Sequence, residues 1–460
     1  MSSIFETFKK PTKENTLLFG SILPSLSFVE YRTYKIKGAE VYWLNEDYCN
    51  ENKINITTAQ QEILDNFAYV SDNFTLSSEI DINDSKVFLA DRYGSPGEVC
   101  NGGSARCGIN GNFQVKGNGT NPLVAINVDE GHSTGKLPLA EAVSEAIWSE
   151  ICHRELPYGA LRIIAIIKTP QTITIANTFG ETVEQPCALM VREVASRPAH
   201  YEPALNFWPR QEFAYLRNAN HMISSQAVSK LEQQSSIQFG TELPLYESTK
   251  QFVTRFAKQV AASRVKGMPH GSLTSSNIAL DGRFLDLGTI SAVGDFSNVI
   301  LTAGLGATWD DHESIVIWLN NYFYYLNKNS DYGLTKSERS SLIQIFLTTL
   351  ENSENIYTAQ QCGIDPSNPQ LSNIGQKLKY DLRKDKEKVS RLVDFEEDKF
   401  NAEVEKALDA IGYQDSTPDF KYRKQKFSRF TIFSDKRLQG LCGSKGDIQT
   451  LINEYIHHNE

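Results

Sequence analysis

An α+β fold in two lobes, strands first and helices after, is what the patterning of this chain predicts. Three observations carry that expectation. Residues 86 to 205 hold short apolar runs and many glycines around one helical stretch, the signature of hairpins with a single packed helix. Beyond about residue 205 the apolar positions recur at helical spacing. Within that second region lies His270-Gly271-Ser272-Leu273-Thr274-Ser275-Ser276-Asn277, followed nine residues on by Asp286-Leu287-Gly288. An amide and a carboxylate so placed can supply two hard oxygen ligands to magnesium, as the catalytic-loop Asn and the D-F-G Asp do in protein kinases.

In chain order, residues 1 to 85 read as an irregular, Asn-rich N-terminal extension with a short strand pair, Thr33 to Ile36 and Glu40 to Trp43. Residues 86 to 205 form the expected small lobe. Its helix runs from Pro138 to Leu156, with Pro138 suited to the first turn and Leu139, Val143, Ile147 and Ile151 as its apolar stripe. Leu161 to Ile167, Thr172 to Ala176 and Cys187 to Val194 read as strands. Residues 206 to 330 form the expected large lobe, with helices Phe252 to Val265 and Ser314 to Asn327 flanking the Asn277–Asp286 segment, where Ile278 to Leu287 alternates like a hairpin. Residues 331 to 460 add a helical C-terminal region, from Glu338 to Asn352 and from Gln376 to Ile411. Mixed signs in Arg383-Lys384-Asp385-Lys386-Glu387-Lys388 suggest a solvated helix face there. Strands with one helix, then helices around a metal-type loop, is the order of a two-lobed kinase-like fold.

Composition excludes some functions. A net charge of -10 over 460 residues argues against a nucleic-acid partner. No apolar run is long enough to span a membrane. Met1 to Lys13 carries three lysines with no apolar stretch behind them, so no secretory signal is expected. Seven scattered cysteines without a C-x-x-C pair suit a reduced, cytoplasmic setting.

The candidate site residues come from both lobes. Lys116 ends the run Asn112-Phe113-Gln114-Val115-Lys116 and can meet nucleotide phosphates as a point charge. Glu145, on the helix, is placed to hold that lysine in an ion pair; taken alone it is as ordinary a surface carboxylate as Glu141 or Glu150. Asn101-Gly102-Gly103-Ser104-Ala105-Arg106, with Gly94 and Gly97 before it, can bring backbone amides and the Arg106 guanidinium to phosphate oxygens, or be an unliganded turn. Arg192 and Arg197 can clamp a polyphosphate, or form surface pairs with Glu193 and Glu202. His270 invites a general-base role, but an orienting or core histidine fits its turn better.

Together these motifs resemble the SelO (YdiU) family, kinase-fold proteins that bind ATP in a flipped pose and transfer AMP. Val115-Lys116-Gly117-Asn118-Gly119-Thr120-Asn121-Pro122 resembles that family's L-K-G-x-G-x-T-P, and Glu141 to Ala146 is similar to its R-E-x-L-x-S-E-A. Arg192 to Glu202 resembles R-V-A-x-S-x-x-R-F-G-H-F-E, His270 to Asn277 resembles H-G-V-M-N-T-D-N, and Asp286-Leu287-Gly288 resembles D-Y-G. The resemblance implies Lys116, Glu145, Asn277 and Asp286 as catalytic, with Glu141 a rival for the ion pair. It implies Gly102, Gly103, Ser104, Arg106, Lys116, Arg192 and Arg197 as nucleotide-binding, and Asn277 and Asp286 as ligands of Mg2+ or Mn2+.

One departure stands out. Where the family carries its base Asp, this chain has Ser276. A hydroxyl acceptor benefits from a base, whereas a carboxylate is already ionised. The substitution therefore points to activation of a peptide's C-terminal carboxylate as an acyl-adenylate, as in attaching a siderophore to a microcin peptide, with a small acyltransferase-like partner subunit. The other readings are AMP transfer to Ser, Thr or Tyr of a protein acceptor, and a catalytically dead scaffold.

Overall fold

The computed structural model describes residues 23–95, 99–128, 133–176, 182–218, 220–231, 244–330, 333–389, 396–413, 417–420, 432, 435–438 and 444–457. Gly97, Cys442 and the lysines of the first thirteen residues lie outside these. The fold is α+β: one large antiparallel sheet, then helices to the C-terminus. Among the described residues, no helix is long and apolar enough to cross a membrane.

The sheet has eight strands: β1 (Phe28–Ile36), β2 (Glu40–Leu44), β3 (Tyr69–Val70), β4 (Ile80–Asp91), β5 (Cys107–Asn110), β6 (Phe113–Lys116), β7 (Ile163–Ala176) and β8 (Thr182–Glu193). Their spatial order is β2-β7-β8-β6-β5-β4-β1-β3. From Phe28 onward, the stretch expected as an irregular extension therefore supplies strands to the sheet. β1 and β2 are integral to the sheet, and the expected boundary at residue 85 falls inside β4.

Nor do β1 and β2 pair with each other: β1 lies against β4 and β3, and β2 against β7. That arrangement dictates the shape of the sheet. Six spacings separate β1 from β2, roughly 29 Å across a flat sheet at about 4.8 Å each. Lys37, Gly38 and Ala39 link them, and so short a link spans at most about 14 Å. The sheet must therefore curl until its ends approach, a partly closed barrel. Gly38, at φ +69, makes the turn. Helix α2 (Ile56–Phe67), entered after α1 (Glu46–Glu51), fills the curl. Its Ala59, Ile63 and Phe67 pack with Val29, Val41, Ile164, Leu189 and Val191.

On the other face, Met190 and Ile166 meet helix α3 (Leu139–Glu155). Pro138 stands at its N-cap, and the helix is buried on nearly every side. Glu150 is no surface carboxylate. It takes a two-pronged contact from Arg162 (2.6 and 2.7 Å) and a third bond from Asn45 (2.7 Å), all buried. This fastens α3 to the start of β7 and to the N-cap of α1. β7 runs unbroken through the two strands expected at 161–167 and 172–176, with a register shift between Lys168 and Thr172.

The helical part comprises α4 (Asn220–Ser229), α5 (Leu245–Val265), α6 (His312–Asn329), α7 (Lys336–Gln361), α8 (Leu371–Leu382), α9 (Glu397–Ala410) and α10 (Lys445–His457). Arg264 of α5 reaches Asp311 before α6 and Glu354 of α7, which also holds Lys379 of α8. The expected helix from Gln376 to Ile411 is interrupted. Lys384–Val389 forms strand β10, parallel to β9 (Ser297–Val299), so the charged run is not one solvated helix face. Pairing begins where the Lys384 amide donates to Phe296 O (3.2 Å) and its ammonium meets Asp295 (2.9 Å). Tertiary contact overrides local helix preference here.

Candidate active site

β6 and β8 are neighbours, with Gln114 opposite Arg192 and Lys116 opposite Met190. Side chains two apart on a strand share a face, so Gln114 and Lys116 point the same way and Arg192 joins them. α3 crosses that face. The Lys116 ammonium lies 2.5 Å from Glu145 Oε1, 3.2 Å from Asp286 Oδ1 and 3.6 Å from Glu141 Oε1. Glu145 is the lysine's partner. Glu141 takes Arg106 instead (2.8 Å), whose guanidinium also donates to Lys136 O (3.0 Å). Burial disfavours the Lys116 charge, but Glu145 and then Asp286 outweigh it and hold the ammonium above the ordinary lysine range.

Asp286 is where these charges converge. Its Oδ1 accepts from Arg192 (2.8 Å) and Lys116, and its Oδ2 from Arg197 (3.3 Å). Burial alone would raise its pKa, yet Arg192, Lys116 and Arg197 together hold it well below the usual carboxylate range. The residue sits in the left-handed region (φ 52, ψ 63), which Asp tolerates better than most. Neither arginine pairs with Glu193 or Glu202, the surface alternative. Glu193 takes Arg283 (2.6 Å), and Glu202 is buried elsewhere.

Several residues that sequence reasoning passed over fix the two arginines. Gln114 Oε1 accepts twice from Arg192 (2.9 and 2.7 Å), and its amide donates to Asp91 (3.1 Å). Arg197 lies over the Tyr93 ring at 4.6 Å and donates to Ser276 O (2.8 Å). Gln114 was legible, two positions before Lys116 on one strand face. Tyr93 left no local signal.

The downstream loop is tied together by His270. Its Nε2 donates to Leu285 O (2.7 Å), and its Nδ1 accepts from the Ser272 amide (3.3 Å). Burial lowers its pKa to about 4. It is a neutral brace beside Asp286 with both ring nitrogens engaged. Asn277 Nδ2 donates to Ser272 O (2.8 Å), which orients its Oδ1 as the remaining acceptor. Ser276 shares a hydrogen bond with Thr274 (2.8 Å).

Lys116, Glu145, Arg192, Asn277 and Asp286 line one cavity of about 680 Å3. Gly102, Gly103, Ser104 and Arg106 line it too, on the segment joining β4 to β5. Gly102 (φ +127) and Gly103 (φ +59) are needed: a Cβ on the first would meet Asp91 O at 2.6 Å, and on the second the Tyr93 hydroxyl at 2.6 Å. Arg197 is fully buried behind Asp286. The volume suits a nucleotide. The donor set, one carboxylate and one oriented amide oxygen, fits Mg2+ bound jointly with phosphates. Among the described residues, no group of three or more His, Cys, Asp or Glu side chains stands ready to hold a metal unaided.

No protein-family model matches this chain, and no curated protein matches it.

Glu202 supports the loop from below. It accepts from Ser275 (2.6 Å) and Asn321 (2.8 Å), and burial raises its pKa to about 7. A carboxyl raised in the fold stabilises fully at pH below its unfolded value, and that contribution is lost as pH rises through the folded one. Glu202→Gln mimics the protonated form. Urea midpoints at pH 5 and pH 8 should therefore show the variant gaining about 2–3 kcal/mol on wild type between the two. An unchanged difference would place Glu202's proton elsewhere.

Proposed function

We propose that this protein transfers AMP from ATP within a kinase-like two-lobed frame, as the SelO family its motifs resemble does, and that its acceptor is a carboxylate. The observation that carries this reading is the convergence of Lys116, Glu145, Arg192 and Asp286 on one nucleotide-sized cavity, with Arg197 paired to Asp286 from behind. Three cations (Arg106, Lys116, Arg192) and three carboxylates (Glu141, Glu145, Asp286) line the cavity, and Arg197 behind Asp286 makes the balance positive, as suits a polyphosphate accompanied by a metal ion. Asn277 and Asp286 would hold that magnesium, which neutralises phosphate charge when bound.

The acceptor is inferred from what the cavity lacks. Among the described residues, its carboxylates are Glu141, Glu145 and Asp286, and each is engaged by a cation. None is spare to take a proton from a hydroxyl, and Ser276 cannot. A carboxylate acceptor needs no base. Its oxygen attacks the α-phosphorus, the bond to the α–β bridging oxygen breaks, and pyrophosphate leaves with that electron pair; no proton moves. Catalysis is then positioning and charge neutralisation by Lys116 and the arginines. Activation of a peptide's C-terminus, as in joining a siderophore to a microcin peptide with an acyltransferase-like partner subunit, is the reaction class this fits.

Ser276→Asp tests the acceptor. With a carboxylate acceptor the added charge should slow pyrophosphate release about tenfold through like-charge repulsion, and AMP should be freed by hydroxylamine. Faster turnover in Ser276→Asp, with AMP stable on protein hydroxyls, would favour a Ser, Thr or Tyr acceptor instead. A scaffold without activity predicts no thermal shift with ATP and magnesium.

A further inference from the structure

A second cavity, of about 290 Å3, opens between α4 and α6 and includes Pro203, Leu205, Arg217, His221, Ser224 and Lys328 in its lining. Its chemistry is one-sided. No carboxylate is found among the described residues that line it, in a chain whose net charge is -10. Arg217 lies over the Trp208 ring at 3.6 Å and donates to Phe207 O, and Lys328 is exposed beside Tyr324 and Tyr325. Neither cation forms an ion pair among the described residues. Ser224, only 2% exposed, has an Oγ with no hydrogen-bond partner. A buried hydroxyl left unsatisfied is costly, and here it belongs to the wall of a cationic pocket. Leu205 of the lining is exposed, and so is Trp208, against which Arg217 lies.

We propose that this pocket binds the carboxylate of an acidic residue in a peptide, with Leu205 and Trp208 holding the neighbouring side chains. Leu205 and Trp208 argue for a peptide over a free oxyanion, which would leave both exposed apolar side chains without use. Backbone contacts tie the segment beside this pocket to a wall of the main cavity. The Ile126 amide donates to Trp208 O (3.0 Å), Ala125 bridges to Pro209, and the next residues, Asn127 and Val128, line the main cavity. On the other side Pro203 follows Glu202, which holds Ser275 beside Ser276. Resting on the function proposed above, the bound peptide is the acceptor, anchored here while its reacting end enters the main cavity.

Fluorescence anisotropy of a fluorescein-labelled Gly-Leu-Glu-Phe amide, titrated without nucleotide, tests the site. Saturable binding is expected, weakened by salt, and about tenfold weaker both for the Gly-Leu-Gln-Phe amide and in Lys328→Gln. Arg217→Gln should weaken it similarly. Should that variant misfold, because Arg217 also holds the Phe207 carbonyl, the exposed Lys328 still decides. Equal binding of the Glu and Gln peptides, no change in Lys328→Gln, or capture of inorganic phosphate without any peptide preference would overturn the proposal. Because no ATP is present, failure here leaves AMP transfer untouched, and failure of nucleotide binding leaves this site untouched.

Discussion

Replacing Asp286 with alanine is expected to lower pyrophosphate release by about 1,000-fold, the scale of losing one preorganised charge at a phosphoryl-transfer site. A second effect should run the other way. Asp286 neutralises Lys116, Arg192 and Arg197 in the unliganded protein. Its removal frees those cations for phosphate, so ATP affinity measured without magnesium should rise while the magnesium dependence of binding disappears. Calorimetric titration with and without the metal reads both. The unliganded variant should also lose about 3 kcal/mol of stability, since buried charges have lost their partner. A variant that binds and turns over ATP like wild type would remove Asp286 from the site.

Lys116→Met is expected to abolish turnover and to destabilise the fold by about 3–5 kcal/mol, because Glu145 is then left as an unpaired buried carboxylate. The two consequences separate in a double variant. Lys116→Met with Glu145→Gln removes both charges and should recover most of the stability, measured by urea unfolding, without recovering any turnover. If the double variant regains activity along with stability, the lysine's role is structural, not catalytic.

Much of the site was legible because it rests on short-range rules. Lys116 lies at a strand end, and a helix carrying Glu145 follows it. Asn277 and Asp286 stand nine residues apart around a hairpin-like turn. What escaped is long-range. Glu150 reads as a surface residue until Arg162 and Asn45 are brought to it by β7 and α1. β1 and β2 read as a pair because only three residues separate them; that they flank a curled sheet depends on β4 and β7, which lie far away in sequence. The charged run after Arg383 satisfies a helix pattern, but β9 offers a partner strand that no local signal announces. Tyr93, beneath Arg197, has the same explanation.

Which bond of ATP this cavity breaks is the most direct test of the account. ATP labelled at the α-phosphate, incubated with magnesium, peptides bearing free C-terminal carboxylates and hydroxylamine, should yield AMP and pyrophosphate, with the yield lost in Asp286→Ala. Formation of ADP and phosphate, or no cleavage with any carboxylate or hydroxyl acceptor, would contradict it.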